Sequence, residues 1–194
     1  GVERARLRHG DSVAIVGSGL TGLLFTQVAR LWGAARIAAL DLQDWRLDYA
    51  RRAGADVVAN PARDDAVAAV RDMTDGRGAD VVFACAASIP AMEQAMRLAA
   101  RGGTVLIFAP PPPEARLAVS PHDILFYELT ITGTYSTAPG ETRLALQLLR
   151  DGRVTVDELI THRLGLDGVK RGLDLTRQAT ESLKVIITIG GEQT

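Results

Sequence analysis

Three glycines at a fixed spacing constrain the fold of this chain more than any other feature. Gly17, Gly19 and Gly22 directly follow the apolar run Val13–Val16 and stand at the start of a helix-like stretch. About twenty residues after the last glycine, Asp41 ends a second apolar run. A strand, a glycine-rich turn, a helix and a later acidic residue, in that order, are typical of a dinucleotide-binding βαβ unit. The pattern predicts that phosphates bind where the helix begins, because the first N–H groups of a helix lack partners within it.

Asp41 has two interpretations. Its carboxylate can accept hydrogen bonds from the ribose hydroxyls of an adenosine, which favours NAD because the same charge repels the 2′-phosphate of NADP. Aspartate is also common at the start of a helix, where it caps the first turn. The glycines nearby favour the ribose interpretation. Arg46 then either flanks the adenosine or is an exposed helical arginine.

The rest of the chain alternates apolar runs of strand length with amphipathic stretches. This alternation predicts an α/β fold, a doubly wound six-stranded parallel Rossmann sheet with helices on both faces. We expect an NAD-binding Rossmann domain at residues 1–152 and a short C-terminal tail at 153–194. The dipeptide Gly102-Gly103 predicts the end of the helix before the fifth strand. Pro110–Pro113 predicts a stiff loop, and Leu117–Val119 predicts a short edge strand after it.

Composition excludes several classes of function. The formal net charge is −1 and no apolar stretch reaches the length of a membrane span, so neither nucleic acid nor a membrane is expected as a partner. The chain has a single cysteine and its first residues do not resemble a signal peptide, which favours a cytoplasmic location.

No catalytic or metal site is predicted within this chain. The three histidines show no metal-ligand spacing, and the GxSxG and Tyr-x-x-x-Lys motifs of other enzyme classes do not occur. Cys85 ends the fourth predicted strand with no base beside it, so it is expected to be a small apolar residue rather than a nucleophile.

Further landmarks follow in a fixed order along the chain: Leu31–Ala34, Arg52–Asp56, Gly76–Asp80, Glu128–Gly133 and Ser182–Val185. Together with the glycine loop, they resemble the coenzyme-binding region of the zinc-type medium-chain dehydrogenases, the alcohol, sorbitol and threonine dehydrogenase group. The resemblance covers essentially the whole chain. Each motif alone is weak, and their shared order is what makes the resemblance specific.

The resemblance implies which residues bind the cofactor. In chain order they are Gly17, Gly19, Leu20, Thr21, Gly22, Asp41, Arg46, Cys85, Ala86, Ser88, Phe108, Ala109, Thr134, Tyr135, Ser136 and Lys184. The first five cradle the pyrophosphate, and the next two hold the adenosine half. The following three line the adenosine-ribose side of the crevice, and the next five approach the nicotinamide. The last is a basic residue placed against the pyrophosphate.

The same resemblance implies an activity for the parent protein, namely hydride transfer between an alcohol or polyol and NAD. The zinc and its ligands belong to a catalytic half that precedes the aligned region, so this chain alone is expected to bind the cofactor without turnover. A homodimer or tetramer paired near residues 117–119 is also implied. Phe108 replaces the valine that is common in the family, and its larger side chain is expected to press on the nicotinamide pocket.

Other classes of protein remain as alternatives. The chain could be a standalone NAD-sensing module or one subunit of a split enzyme. A zinc-free quinone reductase that prefers NADPH is disfavoured by the glycine loop and Asp41. A methyltransferase that binds S-adenosylmethionine is disfavoured by the third glycine and by the motifs near the C-terminus.

Overall fold

The computed structural model describes residues 1–190. The chain divides into two compact units, Gly1–Ala138 and Pro139–Thr194. The sequence predicts a domain boundary after residue 152, which is a different division and stays a prediction. No helix within the described range is long and apolar enough to cross a bilayer.

Six parallel strands form the sheet of the first unit. They are β1 Ser12–Val16, β2 Arg36–Leu40, β3 Val57–Ala59, β4 Ala79–Ala84, β5 Ala99–Ile107 and β6 Thr130–Gly133. Their order across the sheet is β3-β2-β1-β4-β5-β6, and each neighbouring pair is parallel. The predicted six-stranded, doubly wound sheet is therefore confirmed. The strand order reverses between β1 and β4, which is where ligands bind in sheets of this kind.

Helices cover both faces of this sheet. They are α1 Leu20–Leu31, α2 Asp44–Arg52, α3 Ala66–Met73 and α4 Ile89–Leu98, and a short helix without buried residues, α5 Pro121–Phe126, follows β5. Successive residues of β1 point to opposite faces. Val13 and Ile15 join the apolar cluster that contains α1 residues, whereas Ala14 and Val16 join the cluster that contains α3 and α4 residues. All four are buried, and burial of a side chain the size of Val or Ile contributes about 1.5–3 kcal/mol.

The predicted edge strand over Leu117–Val119 is wrong. Within the described chain these residues form no strand, and the partly buried Leu117 packs against the apolar cluster instead. β5 is paired with β4 on one side and with β6 on the other, so the segment does not add to the sheet beside β5. A short helix, α5, follows at residues 121–126, and Ser120 caps it by accepting a hydrogen bond from the N–H of Asp123.

The predicted role of Gly102-Gly103 as the end of a helix is also wrong. The helix has already ended at Leu98, and both glycines lie inside β5. There the strand bulges, since the register with β4 shifts between the paired residues. Gly102 adopts a φ of +74°, and a Cβ on Gly103 would lie 2.8 Å from the carbonyl oxygen of Ala100. Both positions of the bulge therefore favour glycine.

Over residues 139–190, the second unit contains two α-helices, two short 3-10 helices and a pair of strands. The α-helices and strands are α6 Pro139–Arg150, β7 Ile160–Leu164, α7 Val169–Gln178 and β8 Lys184–Ile187. β7 and β8 pair in parallel, and α7 lies between them in sequence. All residues of α6 keep some exposed surface, including Leu144, Leu146 and Leu149. This amphipathic helix therefore presents apolar side chains to solvent.

Candidate dinucleotide site

The loop between β1 and α1 depends on the small size of its glycines. Gly17 has a φ of +100°, and a Cβ there would lie 3.0 Å from the backbone nitrogen of Ala86. A Cβ on Gly22 would lie only 1.9 Å from the carbonyl oxygen of Gly17, so α1 starts directly against the turn. Gly19 is different, because the nearest atom to its Cβ position is the Arg46 guanidinium at 4.0 Å. Two glycines therefore allow close packing, and the third leaves open space above the loop.

The first turn of α1 can receive an anion in that space. Gly19 is the residue before the helix and has no side chain with which to cap it. The N–H groups of Leu20 and Thr21 belong to the first turn, where no partner exists within the helix itself. The turn also carries no acidic side chain. The positive end of the helix dipole is thus available to a phosphate.

Asp41 links this loop to the segment between β2 and α2. Its Oδ2 accepts a hydrogen bond from the N–H of Ser18 at 2.8 Å, and its Oδ1 accepts one from the N–H of Gln43, also at 2.8 Å. The side chain is only 8% exposed. The residue directly before α2 is Gln43 and not Asp41, so the interpretation of Asp41 as the helix cap is not supported.

The side chain of Arg46 places a positive charge beside both Asp41 and the glycine loop. Its Nη1 lies 3.7 Å from Oδ2 of Asp41, and its guanidinium lies 5.1 Å from the centre of the Trp45 ring. The side chain is 16% exposed. The guanidinium therefore lies next to the open space above Gly19, with its position supported by a carboxylate and an aromatic ring.

The end of β4 forms the other wall of the crevice. The N–H of Cys85 donates to the carbonyl of Val16, and Ala86 contacts Gly17 as described above. Ser88 accepts a hydrogen bond from the N–H of Ala91 and so caps α4. Burial raises the pKa of the Cys85 thiol, which keeps it protonated near neutral pH and therefore a poor nucleophile.

A groove of about 530 Å³ opens where β5 and β6 end. Its lining includes Phe108, Ala109, Pro110, Pro111, Thr134 and Tyr135. The Phe108 ring packs edge-on against Phe25 of α1 at 5.0 Å, and Phe25 stacks on the buried Phe83 at 4.2 Å. Phe108 is 38% exposed, so one side of its ring faces the solvent of the groove. Tyr135 is 95% exposed, and Ser136 beside it has a φ of +66°.

Fifteen of the sixteen expected cofactor residues follow the carboxyl ends of the strands in the first unit. Lys184 is exposed at the start of β8 in the second unit. Two further residues near Asp41 are absent from the sixteen expected from the sequence. Ser18 is buried and donates to Asp41, and Asn60 is buried directly after β3. Ser18 stands at a variable position of the glycine motif and Asn60 belongs to no motif, and the partners of both come from separate parts of the chain.

A larger cleft, of about 800 Å³, lies at the opposite edge of the sheet, near the starts of β4, β5 and β6. Three arginines and three acidic residues line it: Glu3, Arg4, Arg6, Arg8, Asp11 and Asp80. Their charges balance, and the cleft is far from the glycine loop. The carboxyl edge, with its open loop and switch in strand order, is the better candidate site.

Metal ligands are a separate question. Across residues 1–190, no three side chains of His, Cys, Asp or Glu come together in a way that could hold a metal ion. The described residues therefore do not provide the set of ligand atoms that a zinc ion needs.

The fold and the loop together define a Rossmann-type dinucleotide-binding domain. The sequence profile of the family described as "Zinc-binding dehydrogenase" matches residues 21–151. The chain belongs to this family, as its resemblance to the zinc-type dehydrogenases led us to expect.

Named relatives are dehydrogenases. L-threonine 3-dehydrogenase of Bacillus velezensis is 34% identical over 170 residues, which cover 87% of this chain and 49% of that protein. An alcohol dehydrogenase of Cupriavidus necator is 33% identical over 189 residues, covering 96% of this chain and 52% of that protein. The chain thus spans about half the length of the curated relatives it matches.

Solved structures agree with this placement. Alcohol dehydrogenase TADH from Thermus sp. ATN1 superposes with a TM-score of 0.89 at 28% identity, covering 97% of this chain and 54% of that one. A structure from Sinorhizobium meliloti 1021, described as a "putative zinc-binding dehydrogenase" bound to NADP, superposes with a TM-score of 0.88 at 33% identity. The match covers 96% of this chain and 54% of that one. The relatives are dehydrogenases, which disfavours the methyltransferase alternative.

Proposed function

We propose that this chain is the NAD(H)-binding part of a dehydrogenase that transfers hydride between an alcohol or polyol and the cofactor. The observation that carries the proposal is the meeting of the glycine loop with Asp41 at the carboxyl edge of the sheet. There, Ser18 of the loop donates to Asp41, while the space above Gly19 stays open. One arrangement thus offers a phosphate site and a ribose acceptor side by side.

The adenosine and pyrophosphate are held by this chain's own groups. The pyrophosphate lies over Gly19 and accepts hydrogen bonds from the first turn of α1. Each oxygen of Asp41 already accepts one N–H, and a carboxylate has about four acceptor positions, so acceptors remain for the ribose hydroxyls. Arg46 lies beside this carboxylate and flanks the adenosine.

The nicotinamide end is placed in the groove after β5 and β6. The bound cofactor supplies the carbon that accepts or donates hydride. Phe108 and Ala109 line the groove after β5, and Thr134 and Tyr135 line it after β6. Phe108 is held against Phe25, so its ring is a fixed surface for the cofactor. Polarisation of the alcohol is the task of residues outside this chain.

Two further features stay predictions. Assembly into a dimer or tetramer near residues 117–119 would give that extended segment the partner strand it lacks within one described chain. A cytoplasmic location is expected from the single cysteine alone.

NAD is expected to bind at least ~10-fold more tightly than NADP, a difference of ~1.4 kcal/mol measurable by calorimetry. Replacing Asp41 with alanine should remove much of that difference, because the charge that repels the 2′-phosphate is lost. The same change also removes the acceptor of two N–H groups, so the folded fraction must be measured with it. Asp48→Ala is the matched control, since Asp48 is an exposed acid on α2, the helix that follows Asp41, and it pairs there with Arg51. A wild-type preference for NADP, as bound in the Sinorhizobium neighbour, would refute the role of Asp41.

The purified 194-residue chain, loaded with zinc and NAD, is expected to show no alcohol oxidation above background. The physical reason is that no metal donor set forms among its described residues to polarise the alcohol. Formation of NADH at 340 nm, with a panel of primary and secondary alcohols, is the measurement. Turnover near the ordinary enzyme range of about 1–10³ s⁻¹ would contradict the expectation.

A further inference from the structure

Asn60 is a buried amide directly after β3, and its side chain is fully engaged. It is 5% exposed. Its Nδ2 donates to the carbonyl of Leu42 at 3.1 Å and to Oδ1 of Asp44 at 3.0 Å. Its Oδ1 accepts a hydrogen bond from the N–H of Ala62 at 3.1 Å. Both protons of the amide thus go to the segment that runs from the end of β2 to the first residue of α2, at positions 18 and 16 residues earlier in the chain.

That segment begins with Asp41. The N–H of Asp41 donates to the carbonyl of Ala59, the residue before Asn60. Ala59 and Asn60 therefore hold the segment at three closely spaced points: the N–H of Asp41, the carbonyl of Leu42 and the carboxylate of Asp44. With the backbone fixed in this way, the Asp41 carboxylate reaches back to Ser18 in the glycine loop.

Asn60 is itself held rigidly. Its N–H donates to Oδ2 of Asp64, and its carbonyl accepts from the N–H groups of Arg63 and Asp64. Arg63 also contacts Asp44 at 2.5 Å, and its hydrogen bond, followed by that of Asn60, lowers the pKa of the Asp44 carboxyl. Asp44 consequently stays ionised and remains an acceptor for the amide of Asn60.

We propose that Asn60 is a positioning residue for cofactor selection, which holds the β2–α2 segment so that Asp41 meets the adenosine ribose. The inference rests on the proposed binding of NAD. It goes beyond that proposal by attributing the position of Asp41 to the side chain of Asn60, a residue that follows a different strand. A purely structural Asn60 would affect only stability. A positioning Asn60 also affects the ratio of NAD to NADP affinity in the folded protein.

Asn60→Asp tests this with nearly no change in side-chain volume. The variant loses both donated hydrogen bonds and turns a carboxylate towards the Leu42 carbonyl and Asp44. We expect NAD affinity to fall about 10-fold by calorimetry and the NAD-to-NADP ratio to fall at least about 3-fold. The matched control is Asp65→Ala, which removes the cap of α3 without touching the β2–α2 segment. That control should lower the melting temperature and leave the ratio unchanged.

A second pair of variants works even if Asn60→Asp does not fold. Asp44 is an exposed residue, and both Asp44→Ala and Asp44→Asn remove its charge and its ion pair with Arg63. Only Asp44→Asn keeps an oxygen that can accept from Asn60. We therefore expect Asp44→Ala to bind NAD about 3-fold more weakly than Asp44→Asn, and to discriminate less against NADP.

The possible results distinguish a failure of the positioning role of Asn60 from a failure of the proposed NAD binding. A ratio in Asn60→Asp equal to that of wild type, with only stability reduced, would overturn the positioning role. Equal NAD affinities of the two Asp44 variants would overturn it as well. If the wild-type chain binds no NAD, the proposed function itself fails. If wild type prefers NAD and every variant keeps that preference, only the role of Asn60 fails.

Discussion

Replacing Gly22 with alanine is expected to destabilise the first unit by at least about 3 kcal/mol and to abolish NAD binding. The added methyl group would lie 1.9 Å from the carbonyl oxygen of Gly17 and 3.2 Å from Cγ2 of Ile15. Neither neighbour can move away easily. Gly17 is confined by Ala86 on its other side, and Ile15 is fully buried in the sheet. Relief therefore requires α1 to shift, and the phosphate site shifts with it.

Gly19→Ala is the matched control for this effect. Its methyl group meets nothing closer than the Arg46 guanidinium at 4.0 Å, so we expect a loss of stability of no more than about 1 kcal/mol. The methyl group occupies the space proposed for the pyrophosphate, and NAD affinity should fall even though the protein stays folded. Urea unfolding and calorimetry on both variants separate packing from ligand binding. Equal stabilities of the two variants would refute the close-packing role of Gly22.

Phe83→Ala is expected to lower the free energy of unfolding by about 3–5 kcal/mol. Phe83 is fully buried in β4, and its ring stacks on Phe25 with 4.2 Å between ring centres. Removal of the ring leaves a cavity under α1, on the face of the sheet where Val13 and Ile15 also pack. The surrounding side chains come from rigid strands, so the cavity closes only in part.

Phe108→Ala removes the outer end of the same aromatic stack and is the control for Phe83. Phe108 is partly exposed, so the expected loss is only about 1–2 kcal/mol. Thermal and urea unfolding of the two variants give the comparison. Similar losses of unfolding free energy at both positions would contradict the ring contacts, in which Phe83 lies in the core and Phe108 lies at its edge on the other side of Phe25.

The order and type of most elements could be predicted from the sequence because each depends on local pattern. The run Val13–Val16 is apolar without interruption, as is usual for a strand buried on both faces. The glycine loop carries its own backbone requirements, so its position between a strand and a helix followed from the residues alone. The structure adds the reason for Gly22, whose contact with Gly17 is only five residues away in sequence.

The errors arose where structure depends on a distant partner. Gly102-Gly103 marks a break in regular structure, but a bulge in β5 is defined only by its register with β4. Leu117–Val119 has the residue types of a strand, yet a strand needs a neighbour with which to pair. The short helix α5 was not predicted, although Ser120 followed by Pro121 is a typical start of a helix.

The candidate site was predictable in part for the same reason. Asp41 could be identified by its distance from the glycines, but its contacts with Ser18 and Gln43 required the fold. Asn60 belongs to no motif. Its importance comes from hydrogen bonds to Leu42 and Asp44, which the topology of β2 and β3 brings beside it.

The position of β1 in the middle of the sheet has a consequence for synthesis. β1 pairs with β2 on one side and with β4 on the other, and its contacts with the start of β4 join residues 68 positions apart. A ribosome adds about 5–20 residues per second, so β4 is completed roughly 3–14 s after β1. During that interval the nascent β1 has an open edge with apolar residues on both faces. The glycine loop is therefore made well before the strand that forms the other wall of its crevice.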